Sequence, residues 1–378
     1  MKLFLIAGEP SGDRLGAALM RALKGLRPDV SFFGVGGPAM TAEGLTSLFP
    51  MDELSVMGIA EVLPKYMALK RRIRECADAV IAMEPQALIT IDSPDFNLRV
   101  ARLVKEARPK QRTIHYVAPS VWAWRPKRAE KMARSIDHVL ALLPFEPPYM
   151  TAVGMTCDFV GHPVVSEAKA SDNEAWAFRQ NVENAPLILA LPGSRRGEVS
   201  RLTPILGEVM ARVRERFPQA GVLLPTVPGV ADLVRDLTAG WPIAPQIIQD
   251  PAGKRIAFRA ADVAIAASGT VSLELAANRL PMVVAYDMNP LSMWMMRKMA
   301  LIDTVTLVNL VSDTRAVPEF LGRECRADRI APAVLDLLDN EVRAEAQRRA
   351  MEITMTRLGE GGDPPAERAA RSVLQALT

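Results

Sequence analysis

The sequence predicts an α/β fold: two doubly wound domains with a cleft between them and the closing helices packing back. Three observations carry the α/β expectation. Short β-rich apolar runs alternate with helix-length amphipathic segments almost throughout, the pattern of parallel strands joined by crossover helices. The series restarts near position 186. At about 150 residues per domain, 378 residues are too many for one ordinary core.

In the first half, strands are expected at Lys2–Ala7, Ser31–Val35, Ala87–Ile91, Thr113–Val117, His138–Leu143 and Cys157–Val160. In the second half they are expected at Leu187–Leu191, Gly221–Pro225, Gln246–Gln249, Val263–Ala267 and Met282–Tyr286. The first-half strands each end in a loop rich in Gly, Pro, Asp or Ser. The polar, aperiodic stretch VSEAKASDNEA reads as a linker, which sets domains at 1–165 and 166–358. Two helical stretches follow, Glu341–Leu358 and Ala366–Leu377, separated by GEGGDPP, whose glycines and Pro-Pro pair cannot continue a helix. The segment from about 359 to 378 is expected to complete the first domain.

Composition excludes several classes. With 49% hydrophobic and 24% charged residues the chain is neither disordered nor fibrous. Forty-six basic against 43 acidic residues leave +3, too balanced for a nucleic-acid binder by bulk charge. Cys76, Cys157 and Cys325 are far apart and form no C-x-x-C, so neither a disulfide framework nor a zinc site is expected, and the cytoplasm is the expected compartment. No apolar run approaches the roughly 18 residues of a membrane span. MKLFLIAG imitates a signal peptide, but its run is short and no cleavage site follows, so it reads as the first strand. Membrane contact is expected to be peripheral.

In doubly wound sheets ligands sit beyond the carboxyl ends of the strands, so the loops there are the candidates. AGEPSGD, after the first strand, offers Gly8, Gly12 and a helix start to an anion or hydroxyl; the competing reading is a turn with Ser11 or Asp13 capping the helix. It lacks the patterns of ATP and dinucleotide loops. GVGGPA does fit G-x-G-x-x-A, but a helix from about Pro38 to Glu43 is too short to hold a pyrophosphate, and a structural turn is expected. In IDSPDFN, Pro94 sets Asp92 on a constrained bend where a carboxylate could act as general base or orient a hydroxyl. For Asp95 an Asx turn and a cap for a helix from near Phe96 compete.

HYVAPSVWAWRPKR carries Trp122, Trp124 and Arg125, which suit a sugar phosphate or lipid headgroup; tryptophans in the core with basic residues in solvent is the alternative. His162 in FVGHP is a lone histidine, either a structural group or a base. LALPGSRRGEV, with Gly193, Ser194 and Arg195, and IAASGTVSLELA, with Ser268, Gly269, Thr270 and Glu274, are two strand–turn–helix loops. Together they point to a nucleoside diphosphate, with Glu274 available to a ribose diol. No D-x-D or H-E-x-x-H occurs, so no metal is expected; arginine and helix dipoles would carry a diphosphate leaving group. SVMGIAEVLPKYMALKRRIRE places Val56, Ile59, Ala60, Leu63 and Met67 at helical spacing before a basic run, and Met57, beside Val56, is a further candidate for the acceptor lipid. An apolar patch rimmed by cations suits acyl chains; Pro64 is expected to divide a short apolar piece from a basic helix, and a core-facing helix is the competing reading.

The segments AGEPSGDRLGA, GVGGPAM, SVMGIAEVL, IDSPDFN, HYVAPSVWAWRPKR, LPFE, FVGHP, LPGSRRGEV, ASGTVSLE and PMVVAYDM stand in an order that resembles the lipid-A-disaccharide synthase family across nearly the whole chain. The resemblance implies the GT-B fold with the nucleotide-sugar held mainly by the second domain. It implies a β-1,6 transfer from UDP-2,3-diacylglucosamine to 2,3-diacylglucosamine 1-phosphate, inverting, with no cofactor or metal, at the cytoplasmic face of the inner membrane. Positions important in the family fall on Glu9, Ser11, Asp92, Arg195 and Asn309, the last expected to serve UDP. Pro10, where Ala is frequent in the family, should stiffen the first turn. Asp92 is the expected base, with His162 and Glu9 competing. Another UDP-GlcNAc enzyme, transferase or 2-epimerase, and a non-catalytic nucleotide or lipid carrier are the alternatives. Acyl length and oligomeric state, a homodimer included, stay open.

Overall fold

A computed structural model describes residues 1–54, 59–180 and 186–378, with 59–66, 290–292 and 297 described by backbone alone. The chain divides into two compact units, Met1–Pro163 with Gly361–Thr378, and Val164–Glu360.

The first unit is built on seven parallel strands: β1 (Lys2–Ala7), β2 (Ser31–Val35), β3 (Thr46–Ser47), β4 (Ala87–Ile91), β5 (Thr113–Tyr116), β6 (His138–Ala141) and β7 (Thr156–Phe159). Their order is β3-β2-β1-β4-β5-β6-β7, so the direction of winding reverses between β1 and β4. β4 is buried along its whole length and β1 beyond its first residue, which is why both read as continuous apolar runs without alternation. Helix Pro10–Leu26 buries Leu19, Met20 and Leu23 in this core and packs on helix Pro365–Ala376, whose Ala369, Ala370 and Val373 join the same core. Polar ties fix that second helix. Ser372 donates to Asp158 at 2.6 Å and lies 2.7 Å from His138 Nε2, while Arg368 donates to the Phe159 carbonyl at 2.6 Å.

The second unit carries six parallel strands: β8 (Leu187–Leu191), β9 (Gly221–Pro225), β10 (Pro245–Ile248), β11 (Val263–Ala267), β12 (Met282–Tyr286) and β13 (Glu319–Leu321). The order β10-β9-β8-β11-β12-β13 reverses between β8 and β11. Its core gathers Ile188, Ile265 and Val283 from the strands with Leu202, Leu206 and Ile330 from flanking helices.

Most expected strands stand where the apolar runs placed them, and the differences have local causes. Val117 leaves β5 because its φ is +82. Leu142 and Leu143 leave β6 because their N–H groups turn to the Glu146 carboxylate, at 3.1 and 2.9 Å. β3 and β13, two and three residues long, were not expected. Pro64 does not divide its segment: helix Ile59–Met83 runs through it, since a proline near a helix start forfeits a single ladder bond. Helix Pro94–Ala107 starts two residues before the expected Phe96, because proline suits a first helical position, its missing N–H falling among donors that have no partner inside the helix. Part of the expected linker is helix, Asp172–Arg179, opened by a reciprocal Ser171–Glu174 capping box.

Candidate active site

In the first unit the chemistry-bearing turns leave the two strands at which winding reverses. Glu9 is the extended residue before helix Pro10–Leu26, and Ser11 is the second residue of that helix; both are exposed. Neither Ser11 nor Asp13 caps this helix. Asp13 is buried and reaches to the next turn, accepting from the N–H groups of Gly37, Ala39 and Met40 at 2.8, 2.9 and 3.0 Å. That carboxylate caps the short helix Pro38–Ala42. A Cβ on Gly37 would lie 2.6 Å from Asp13 Oδ2, so the GVGGPA glycine serves this approach and no pyrophosphate.

Asp92 follows β4 directly, with φ +49, and Ser93 follows with φ +44. The Asp92 N–H donates to the Tyr116 carbonyl at 2.9 Å, and its own carbonyl accepts from Asn97 Nδ2 at 2.7 Å. The bend is thereby fixed from both sides while the carboxylate stays partly exposed. The turns after β1 and β4 touch: a Cβ on Gly8 would lie 2.7 Å from Ser93 Oγ. Asp95 does not cap its helix; it sits in the first turn, exposed, and pairs with Arg128 at 3.3 Å.

The other first-unit candidates lie elsewhere. His162 follows β7, with β5 and β6 between that strand and β4, and burial pushes its imidazole down to about 4. Trp122 is buried, not presented to lipid: its indole donates to Glu146 at 3.2 Å and meets Phe145 edge-on. Trp124 is half-buried under Arg125, 4.3 Å from the ring, with Arg128 at 5.9 Å. Val56 and Met57 lie outside the described residues, and Ile59 opens helix Ile59–Met83.

In the second unit the two strand–turn–helix loops leave β8 and β11, neighbours at the reversal of that sheet. Gly193 has φ +109, and a Cβ there would lie 2.5 Å from Glu198 Oε2. Glu198 folds back from the first turn of helix Arg196–Arg216, where it accepts from the N–H groups of Ser194 and Arg195, each at 3.3 Å. Its other oxygen meets the Arg195 guanidinium at 3.2 Å. The backbone donors expected to face phosphate therefore already hold an internal carboxylate. The side chain of Arg195 is 70% exposed, free to swing to a ligand. Tyr286, at the end of β12, titrates above its usual range, first through burial and then through Glu198.

Ser268 is partly buried; Gly269 and Thr270 are exposed before helix Val271–Ala277. Glu274 pairs with Lys254 at 2.6 Å. Asn309 has a different place from the one expected. It is buried, donating to Thr304 Oγ1 and the Val317 carbonyl at 3.2 and 2.9 Å and accepting from the Val317 N–H at 3.0 Å. Its amide clamps two chain segments together and is not turned to a ligand.

Glu198 and Glu146 were not singled out in the sequence. Glu198 stands three residues after Arg195, the spacing of a helix-start carboxylate, and that was the available signal. Glu146 accepts from Leu142, Leu143 and Trp122, and burial raises its carboxyl to about 7. Nothing in LPFE marks it as buried. Among the described residues no helix is long and apolar enough to cross a membrane, and no three His, Cys, Asp or Glu side chains converge to hold a metal ion.

A family model described as Lipid-A-disaccharide synthetase matches residues 3–372. A lipid-A-disaccharide synthase of Ruegeria pomeroyi is 58% identical, aligned over 100% of this chain and 96% of its own length. One from Rhodospirillum centenum is 46% identical over 100% and 94%. Among solved structures, Staphylococcus aureus MnaA in a co-structure with UDP superposes with TM-score 0.69 at 12% identity, covering 100% of this chain and 96% of that one. The UDP-GlcNAc 2-epimerase of Neisseria meningitidis bound to UDP-GlcNAc gives 0.65 at 12%, covering 100% and 99%. These structural likenesses, at low identity, establish the GT-B fold.

Proposed function

The chain belongs to the lipid-A-disaccharide synthase family, and from that membership we propose that it condenses UDP-2,3-diacylglucosamine with 2,3-diacylglucosamine 1-phosphate into the β-1,6 disaccharide 1-phosphate and UDP. One observation supports the reading most: in both sheets the candidate loops leave the pair of strands at which the winding reverses, where doubly wound folds bind their ligands. The first unit would supply Glu9, Ser11 and Asp92, the second Gly193–Arg195 and Ser268–Thr270.

In this reading Asp92 accepts the proton of the acceptor 6-hydroxyl as that oxygen attacks the anomeric carbon. The new C–O bond forms opposite the breaking bond to UDP, whose oxygen takes the electron pair, so one base gives inversion through an oxocarbenium-like state. Arg195 meets the diphosphate, and Glu198 withdraws from the turn N–H groups to let the anion in. Ser268, Gly269 and Thr270 extend that anion site, and Glu274 holds the ribose. Glu9 and Ser11 orient the acceptor. His162, with its basicity pushed down by burial, is the weaker candidate base. No cofactor enters the scheme.

Family membership favours transfer over 2-epimerisation, since the likeness to the 2-epimerase is one of fold. Lipid substrates further support a cytoplasmic protein bound peripherally to the inner membrane. A homodimer is the alternative to a monomer, and light scattering distinguishes them. The test of function is direct. In detergent with both precursors, the protein should yield disaccharide and UDP in equal amounts, and chelator should not stop it. Binding of the UDP-sugar without UDP release on adding acceptor would make the chain a carrier. Full-rate use of acyl-free UDP-GlcNAc would favour another UDP-sugar enzyme, and dependence on a restored divalent cation would end the metal-free scheme.

A further inference from the structure

Beside the Asp92 bend lies a cavity of about 860 Å³, bounded by helix Pro94–Ala107 and the stretch from Pro119 to Ser135. Seven of its 13 lining residues are Lys or Arg, against one carboxylate, Asp95. Two of the cations have partners, Arg128 with Asp95 at 3.3 Å and Arg102 with Glu106 at 3.6 Å. Among the described residues Arg99, Lys127, Lys131 and Arg134 have no carboxylate partner, and Arg125 is held only over the Trp124 ring. Unscreened like charges around a concavity repel one another and focus a positive potential into it; an anion with several oxygens relieves the repulsion. Guanidinium forks matched to oxyanions make phosphate the natural occupant.

The position of the groove narrows the choice of phosphate. Pro94 and Asp95, which line one end, belong to the same turn as Asp92. From Pro94 to Arg99 the helix advances about 7.5 Å at 1.5 Å per residue, a length comparable to one pyranose ring. A sugar whose hydroxyl faces Asp92 therefore reaches the Arg99 level with a group on its opposite side. We propose that this groove receives the phosphomonoester of the acceptor sugar, with Arg99, Arg125 and Lys131 as its principal charges. The proposal rests on the transferase reading for the identity of the acceptor. Anionic lipid headgroups share this phosphate chemistry, and the vesicle arm of the test separates the two sources.

The test compares the Arg99→Ala/Lys131→Ala double variant with the unaltered protein, using acceptor with and without its 1-phosphate in detergent. The expected result is a KM for phosphorylated acceptor raised at least about tenfold, with UDP affinity and donor KM unchanged, and no difference between the proteins on dephosphorylated acceptor. Arg99→Lys should recover most of the loss. A KM increase equal for both acceptors overturns the proposal. So does unchanged KM with loss of binding to phosphatidylglycerol vesicles, which would assign the groove to the membrane. Glucosamine 1-phosphate, with glucosamine as control, probes the groove by calorimetry without turnover. Its binding, lost in the double variant, would stand even if no disaccharide formed; failure of the unaltered protein to bind it overturns the proposal.

Discussion

Asp92 occupies a backbone conformation that side-chain-bearing residues rarely adopt, φ +49, and two hydrogen bonds keep it there. Such a bend costs conformational energy of the kind that collects at functional sites. Asp92→Asn keeps the shape and removes the basicity, so turnover should fall about 10²-fold or more with the fold intact; a variant of near-normal turnover would dismiss Asp92 as base. Arg195→Ala removes a charged contact expected at phosphate, and calorimetry should find UDP bound about 10- to 100-fold more weakly, the worth of one charge-assisted bond. Unchanged UDP affinity would count against that role. That a turn stands at Asp92 was legible, because Ser93-Pro94 after an apolar run marks one; its left-handed φ was not. The partners of Asp13 and Asn309 were not, since each bonds across a gap that sequence spacing does not measure: Asp13 to Gly37, Asn309 to Val317.

Elements with a strong local signal were read correctly. β1, β4, β8 and β11 are continuous apolar runs bounded by turn residues, so their limits follow from composition alone. β3 and β13 are too short to show a period, and their pairing comes from the neighbouring strand. The turn after β6 shows what local reading misses. Glu146 joins that turn to Trp122 and so anchors the loop carrying Trp124 and Arg125. Burial raises its carboxyl from an ordinary value near 4.5 to about 7. Between those values the folded protein keeps a proton that the unfolded chain has released, so stability falls as pH rises through the window, by roughly 3 kcal/mol. Urea midpoints should therefore be lower at pH 8 than at pH 5, and Glu146→Gln should flatten the difference. An unchanged slope in the variant would remove Glu146 as its source.

At the scale of the whole molecule, alternation and its restart near 186 were enough to foresee two parallel α/β sheets. What covers helix Pro10–Leu26 was harder, because periodicity gives a helix its apolar face without naming the occupant. The occupant is helix Pro365–Ala376. Deleting 361–378 removes buried Ala369, Ala370 and Val373 and the Ser372 tie. Hydrogen exchange should then accelerate in Pro10–Leu26, β6 and β7 and remain slow in β8 and β11; unaltered protection of Pro10–Leu26 would refute the dependence. The same connection constrains biosynthesis. A ribosome adding about 5–20 residues per second must finish the whole of 164–360 before that helix emerges, a delay on the order of 10–40 s. Throughout it the earlier-made sheet waits with one greasy flank bare, so the nascent chain should be a client of holding chaperones until translation has passed that point.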